Sequence, residues 1–146
     1  MGDKKPSNLK HVETIAVTLS KNATQEQRLA TLVTNSVVDA LTRDGTFQIK
    51  NTSIADAQLH TKIETINYSK RRSARFDSLR ASEMYMHLFV SWKLIDNQNK
   101  TLMSGNERGR SYFTVASNQQ TSRNNAFPDA AKNAAEKIIQ RIANGF

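Results

Sequence analysis

Residues 83–95 alternate between apolar and polar side chains more regularly than any other part of the chain. The apolar positions are Met84, Met86, Leu88, Val90, Trp92 and Leu94, and the polar ones are Glu83, Tyr85, His87, Ser91 and Lys93, with Phe89 as the one large exception. A period of two places each set on one face of a β-strand, whereas a helix would mix the sets on its surface. We therefore predict a strand in the middle of a sheet, with the methionines and the tryptophan in the core.

Upstream of this strand, the pattern predicts a strand followed by an amphipathic helix. Residues 12–19 alternate and predict the first strand, with Ile15, Val17 and Leu19 on one side. Thr24 and Gln27 have the spacing of a capping box, which predicts that the helix begins there. Apolar residues then recur at helical spacing as far as residue 44, and Gly45 is suited to the left-handed conformation that ends a helix.

Three more strands and a turn are predicted around the central one. Residues 47–49 predict a short strand, and the order strand, helix, strand implies a parallel crossover. Residues 58–68 alternate again, with Leu59, Thr61, Ile63 and Thr65 on one side. Residues 96–100 have the composition of a hairpin turn, and residues 101–115 predict the last strand. The alternation of that strand fails near its two glycines, Gly105 and Gly109, which suggests a β-bulge.

The chain closes with a second amphipathic helix, rich in alanine and ending at residues 144–145. Pro128 fits either the first turn of this helix or a kink in one that begins near Thr121. Together these elements predict an α/β (α+β) two-layer sandwich in the order β-α-β-β-β-β-α. Its mixed sheet has four to five strands, and both helices pack on one face. We expect residues 1–11 to be an N-terminal tether and residues 12–146 to be a single domain.

Composition restricts the possible classes of function. The 146 residues carry a net charge of +8, which favours a nucleic acid, an anionic membrane surface or a phosphorylated glycolipid as partner. The chain has no cysteine, so disulfides and thiolate metal sites are excluded. No apolar run approaches the roughly 18 residues of a membrane span, and the first ten residues contain no hydrophobic signal region.

Motifs of catalysis are missing from the sequence. The histidines, His11, His60 and His87, fall in different predicted strands and lack a metal-binding spacing. The glycines form none of the GxGxxG, GxxxxGK[ST] or GxSxG motifs. We therefore expect no enzymatic activity, no cofactor and no metal site.

The strongest candidate for binding is the basic connection at residues 70–80, in which Asp77 is the one acidic residue. Its arginines are Arg71, Arg72, Arg75 and Arg80, and Arg108, Arg110 and Arg123 are predicted to add to the same positive field. Arginine pairs bidentately with phosphate, although a solvated loop without a ligand explains the charges equally well. Nucleic-acid binding is weakly supported, because Tyr68 and Phe76 are the only aromatic residues that flank this connection.

The order of motifs resembles the LptE family of lipopolysaccharide-assembly lipoproteins, in a divergent branch. The resemblance rests on Ile15-Ala16-Val17 with Asn22-Ala23-Thr24, on LTRDGTF at residues 41–47, on DNQNKTL at residues 96–102, and on the alanine-rich residues 126–139. It covers nearly the whole chain.

The resemblance implies a non-catalytic role at the periplasmic side of the Gram-negative outer membrane. Such a protein plugs an LptD-type β-barrel, helps it to assemble and assists delivery of lipopolysaccharide to the cell surface. The basic residues that the family uses for the glycolipid lie in the connection before the central strand and early in the final helix region, which match the neighbourhood of residues 75–80 and Arg123. The site residues implied are Arg71, Arg72, Arg75, Arg80 and Arg123. The lipid-bearing cysteine of the family is missing, and we expect Met1 to replace a signal peptide and a lipidated cysteine.

Two other functions are open at this stage. A periplasmic activator or scaffold lipoprotein of the curli-secretion or penicillin-binding-protein activator type would bind a protein partner and not lipopolysaccharide. A nucleic-acid binder would bind any polyanion with an affinity that falls steeply with salt. Nucleic acid is not the partner we expect, because the resemblance implies the barrel, the glycolipid and a lipid anchor.

Overall fold

The structure is a computed structural model that describes residues 6–70, 82–115 and 119–145. Its strands are β1 (Thr14–Val17), β2 (Lys21–Asn22), β3 (Gln48–Ile49), β4 (Ala57–Lys70), β5 (Ser82–Asp96) and β6 (Thr101–Val115), and its helices are α1 (Leu29–Asp44) and α2 (Gln119–Asn144). A short 3₁₀ helix at Ser7–Leu9 precedes them. None of these helices is long and apolar enough to cross a membrane.

The sheet has the order β3-β1-β4-β5-β6, and the two-residue β2 pairs with β4 beyond the end of β1. β1 is parallel to both β3 and β4, whereas β4, β5 and β6 are antiparallel. Helices α1 and α2 pack against each other and on the sheet. The predicted two-layer α+β fold is therefore confirmed, with β2 added as a strand that the sequence did not predict.

Strand β5 has the predicted position and the predicted faces. It pairs with β4 from Met84 to Asp96 and with β6 from Ser82 to Ile95. Its buried side chains are Met86, Leu88, Val90, Trp92 and Leu94, each at most 4% exposed. Alternation identified both the strand and its core face because β5 lies between two long strands and the helices cover one of its faces.

A register shift divides β4. Ile63 lies opposite Val90, but the register moves by one residue before Thr65, so that Ile66 lies opposite Leu88. Because Val90 and Leu88 face the helices, Ile66 follows Ile63 on the core side and Thr65 is exposed. The prediction that Thr65 shares a face with Leu59 is therefore wrong.

The predicted first strand is too long. β1 ends at Val17, and Leu19 is 68% exposed rather than buried. Ser20 takes the buried position, where its hydroxyl bonds the hydroxyl of Thr61 and its backbone N–H donates to Thr34 Oγ1 at 2.9 Å. These bonds turn the chain so that the next two residues pair with β4 as β2.

Helix α1 starts later than predicted and ends as predicted. The Thr24 hydroxyl accepts the Glu26 N–H within a local turn, and no side chain caps the helix at Arg28. The predicted capping box is therefore wrong, because Asn22 engages Thr24 first, accepting from both its N–H and its hydroxyl. At the other end, Gly45 has a φ of 77° and donates its N–H to the Leu41 carbonyl.

The glycines of β6 lie in regular strand and form no bulge. Gly109 pairs with Leu88 and Gly105 with Trp92, in continuous register. A Cβ at Gly109 would overlap the carbonyl oxygen of Ala130 in α2, and one at Gly105 would stand 3.0 Å from the Trp92 ring. The two residues are glycine because the helix and the indole lie directly on the strand.

Helix α2 begins at Gln119, so Pro128 lies inside it and not in its first turn. The small side chains of this helix, among them Ala126, Ala130 and Ala134, are at most 3% exposed. They allow the helix backbone to approach β6 closely. The α2 helix therefore closes the core over β5 and β6, while α1 covers the other half of the sheet.

The core also includes residues near the N-terminus. Leu9 and Val12 are fully buried, and Pro6 lies beside Gly145 at the end of α2. Residues 1–5 lie outside the described residues. The division into a tether and a domain at residue 12 stays a prediction.

Candidate functional site

The face of β4, β5 and β6 that points away from the helices is exposed or half-buried throughout. We call it the open face. Its residues are His60, Lys62, Glu64, Thr65, Asn67 and Ser69 on β4, Glu83, Tyr85, His87, Phe89, Ser91 and Lys93 on β5, and Ser104, Asn106, Arg108, Arg110 and Tyr112 on β6. In a pleated sheet these residues alternate along each strand with the buried residues. The burial of one set therefore determines which residues lie on the open face.

Cations outnumber carboxylates on the open face. Its cations are Lys62, Lys93, Arg108 and Arg110, and its carboxylates are Glu64 and Glu83. The Ser91 hydroxyl donates to Glu64 at 2.6 Å, and Lys62 lies 3.7 Å from the same carboxylate. The rest of the face is therefore positive, which favours anionic ligands.

One end of the open face forms a depression of about 580 Å³, which we call the lysine pocket. It lies where β1 and β2 flank the start of β4. Its lining includes Leu19, Lys21, His60, Lys62, Lys93 and Ile95.

His60 lies at the centre of the lysine pocket. It faces Lys93 directly across the β4–β5 ladder, its Nδ1 is 3.3 Å from Thr18 Oγ1, and its Nε2 is 3.1 Å from Gln58 Oε1. Burial, followed by the positive charges of Lys93 and Lys21, lowers the pKa of His60. The imidazole is therefore neutral at pH 7 and able to donate or accept one hydrogen bond at each nitrogen.

The other end of the open face carries arginines and aromatic rings, and we call it the arginine end. The guanidinium of Arg110 lies over the Tyr85 ring, 4.6 Å from its centroid. His87 is opposite Arg110 and bonds Ser69 Oγ through Nε2 at 2.8 Å. Burial, Arg108 and Arg110 lower the pKa of His87, and among the described residues its buried Nδ1 has no hydrogen-bond partner.

Of the site residues predicted from sequence, one lies within the described part of the chain. Arg71, Arg72, Arg75 and Arg80 lie outside the described residues, as does most of the predicted basic connection. Arg123, on α2, places its guanidinium 6.0 Å from the Tyr68 ring centroid, and Tyr68 packs edge-on against Phe113. Tyr68 lies two residues before the end of β4, so Arg123 is anchored beside the point where the basic connection begins.

The lysine pocket was missed by sequence reasoning. The alternation did assign His60, Lys62 and Lys93 to polar strand faces, but it gave no reason to bring them together. Lys21 enters the pocket through β2, whose pairing with β4 the sequence does not reveal. Among residues 6–70, 82–115 and 119–145, no three histidine or acidic side chains are grouped as metal ligands.

Comparisons with known proteins agree with this architecture. The model of the lipopolysaccharide-assembly family LptE matches residues 12–143. A comparison with curated proteins finds no significant match.

Solved structures of bacterial lipoproteins share the fold. A lipoprotein from Caulobacter crescentus is 21% identical, with a TM-score of 0.58 over 86% of this chain and 89% of that one. A minor lipoprotein from Acinetobacter baumannii is 11% identical, with a TM-score of 0.58 over 92% of each chain. The rare lipoprotein B from Shewanella oneidensis is 12% identical, with a TM-score of 0.55 over 91% of this chain and 96% of that one. At these identities the likeness concerns the fold alone.

Proposed function

Since the chain belongs to the LptE family of lipopolysaccharide-assembly proteins, we propose that it is the subunit that plugs an LptD-type β-barrel. In this role it helps the barrel to assemble and assists delivery of lipopolysaccharide to the outer-membrane surface. It acts from the periplasmic side, held there by a lipid anchor. The observation that carries the proposal is the match of the family model over residues 12–143.

The architecture supports a role based on shape and charge. α1 and α2 back the sheet with a continuous core, so the sheet presents the open face as a rigid surface. Lipid A carries phosphates, and arginine binds phosphate through two parallel charge-assisted hydrogen bonds. Binding a glycolipid and filling a barrel require no covalent step, which agrees with a non-enzymatic family.

For the glycolipid we propose Arg71, Arg72, Arg75, Arg80 and Arg123 as the contacts. Arg123 lies beside Tyr68, next to the end of β4 from which the other four continue. Arg108 and Arg110 extend the positive charge across the open face. The stacking of Arg110 on Tyr85 holds its guanidinium in place and reduces the entropy lost on binding.

The barrel partner is tested by purification from membranes. The full-length anchored protein, tagged and extracted in mild detergent, should copurify with one large outer-membrane β-barrel. Recovery of the protein as a free monomer from intact outer membranes would contradict the plug.

The glycolipid contacts are tested by charge reversal with a matched control. We expect the fourfold change of Arg71, Arg72, Arg75 and Arg80 to Glu to weaken lipopolysaccharide binding by about tenfold or more, because each lost charge-assisted bond contributes about 1.5 kcal/mol or more. The control reverses four exposed cations away from the open face, Lys10, Arg43, Lys50 and Lys132, with the same change in net charge. Equal losses in both variants would show that net charge, and not this connection, determines binding.

A further inference from the structure

We infer that the lysine pocket is a binding site for a phosphate group attached to an apolar chain, held by Lys21 and Lys93 with the chain against Leu19. This site goes beyond the proposed function, since it uses none of the arginines assigned there. His60 and His87 lie at the two ends of the open face, and Lys93, which is opposite His60, lies six residues from His87 along β5. At about 3.4 Å per residue, the pocket and the arginine end are about 20 Å apart.

The first argument is the arrangement of charge. Lys21 lies directly opposite Lys62 in the β2–β4 pair, and Lys93 lies directly opposite His60. Like charges placed opposite each other across a sheet destabilise it. No carboxylate lines the pocket, and within the described residues Lys21 and Lys93 form no ion pair. An anion bound there would reduce the repulsion between Lys21 and Lys62 and compensate the charge of Lys93, which lies opposite the neutral His60.

Lys62 contributes less than its two neighbours. Its ammonium lies 3.7 Å from Glu64, which also accepts the Ser91 hydroxyl. The carboxylate compensates Lys62 in part and, as a negative charge near the pocket, opposes an anion there. We therefore assign the main contacts to Lys21 and Lys93.

The second argument is the supply of neutral hydrogen-bond donors. Ser104 and Asn106 line the same depression as the lysines, whereas Thr18 and His60 there already bond each other and neighbouring groups. Each lysine ammonium offers three donors that can rotate towards a ligand, and the hydroxyl and amide groups offer more. A phosphate group presents several acceptor oxygens, so this mixture of donors suits it better than it suits a carboxylate.

The third argument is an apolar rim beside the cations. Leu19 is 68% exposed, the largest exposed fraction among the large hydrophobic side chains described, and Ile95 lines the same pocket. A single exposed leucine on a surface needs no explanation. Leucine and isoleucine next to paired lysines form an amphipathic depression, which fits a phosphate with a hydrocarbon chain.

The test compares three probes: vesicles of phosphatidylcholine, the same vesicles doped with phosphatidic acid, and soluble glycerol 3-phosphate. We expect the protein to bind the doped vesicles in preference to the plain ones. The double variant Lys21→Gln/Lys93→Gln should bind them about tenfold or more weakly. The control Lys50→Gln/Lys132→Gln removes the same charge from exposed positions away from the open face and should retain most of the binding. Equal losses in the two variants would overturn the pocket as the site, as would an absence of binding by the wild type.

The apolar part of the proposal has its own variant. Leu19→Ser should weaken binding to the doped vesicles and leave binding of glycerol 3-phosphate unchanged. Equal affinity of the protein for glycerol 3-phosphate and for the doped vesicles would overturn the role of Leu19. Circular dichroism of each variant checks that it is folded. The proposed function is tested with arginine variants, and the lysine pocket with variants of Lys21, Lys93 and Leu19. A negative result for one set of variants therefore does not decide the other proposal.

His60 gives a second readout at the residue itself. A phosphate bound beside Lys21 and Lys93 favours the protonated imidazole, so binding should raise the pKa of His60 in an NMR titration with the doped lipid in micelles. The groups that face His60 are Thr18 and Gln58, which bond it, and the two lysines. A pKa of His60 that does not respond while the pKa of His87 rises would locate the phosphate at the arginine end and overturn the proposal.

Discussion

The two faces of the β4–β5–β6 sheet differ in whether their polar and charged groups have partners. On the face covered by the helices, buried polar groups have partners: Glu107 accepts from Trp92 Nε1 at 3.1 Å and lies 2.8 Å from Arg141, and the Ser111 hydroxyl donates to the Ala126 carbonyl. On the open face, lysines stand opposite each other or opposite a histidine, and His87 Nδ1 has no described partner.

This difference indicates what each face contributes. Folding alone requires that polar groups buried under the helices have hydrogen-bond partners. Repelling cations on a rigid surface lower stability and are useful only if a ligand compensates them. We therefore expect substitutions on the covered face to change the free energy of unfolding, and substitutions on the open face to change binding.

The largest effect on stability is expected from Gly109→Ala. The added Cβ would overlap the Ala130 carbonyl oxygen and stand 2.7 Å from Ala134 Cβ, and a backbone oxygen cannot rotate away. Overpacking of this kind costs about 3 kcal/mol of unfolding free energy, measured by urea denaturation. The matched control, Ser104→Ala on the open side of the same strand, should stay within about 0.5 kcal/mol of wild type. A Gly109→Ala protein as stable as the control would mean that α2 does not lie on β6 as described.

The next largest effect is expected at Glu107, which is 8% exposed. Glu107→Leu leaves the Trp92 indole N–H without its acceptor, and we expect a loss of about 2 kcal/mol. Arg141→Met removes the other partner, but its side chain is 48% exposed, so its loss should cost less than about 1 kcal/mol. Equal losses in thermal or urea unfolding would contradict the assignment of the indole bond as the larger contribution.

Substitution of two lysines on the open face is expected to have a smaller effect, and to raise the free energy of unfolding rather than lower it. Lys21→Gln/Lys93→Gln relieves the repulsion between Lys21 and Lys62, so stability at neutral pH should stay equal or rise by about 0.5 kcal/mol. The gain should shrink in high salt, because salt screens exposed charges. Urea unfolding at low and high salt measures it. A loss of more than about 1 kcal/mol would show that these lysines support the fold.

The smallest effect concerns His60. Lys93→Gln should raise the lowered pKa of His60 towards its usual value, while burial continues to hold it below that value. His60 binds a proton at about pH 6.5 in the unfolded chain and only at lower pH in the folded chain. Protonation of His60 therefore leaves the free energy of unfolding unchanged above about pH 6.5 and lowers it as the pH falls from about 6.5 towards the pKa of His60 in the folded chain. The variant should lose less stability over this range, and an identical pH profile would contradict the contribution of Lys93.

Elements with a long uninterrupted pattern could be predicted from the sequence. β5 alternates over its whole length, and α1 ends at a glycine whose φ is positive, so local signals identified both. The capping box failed because Asn22 engages Thr24 in a turn that competes with the cap. Leu19 was assigned to the first strand, on the same side as Ile15 and Val17, because alternation cannot show that the chain leaves β1 after Val17.

Features made by distant residues could not be predicted. Gly105 and Gly109 suggested a bulge, whereas their partners are an indole on β5 and a helix backbone more than twenty positions away in sequence. The lysine pocket depends on β2, which is two residues long and pairs with β4. The basic connection could be recognised because five cations fall within eleven residues, Lys70 to Arg80, whereas the described cations that come together in space are scattered through the sequence.

Photo-crosslinking in cells tests the central claim most directly. A photoreactive phenylalanine analogue replaces either Tyr112, 58% exposed on the open face, or Gln140, exposed on α2. If the open face meets the glycolipid, ultraviolet light should produce lipopolysaccharide adducts from position 112 and none from position 140. Adducts at position 140 alone, or in equal yield at both positions, would contradict the account.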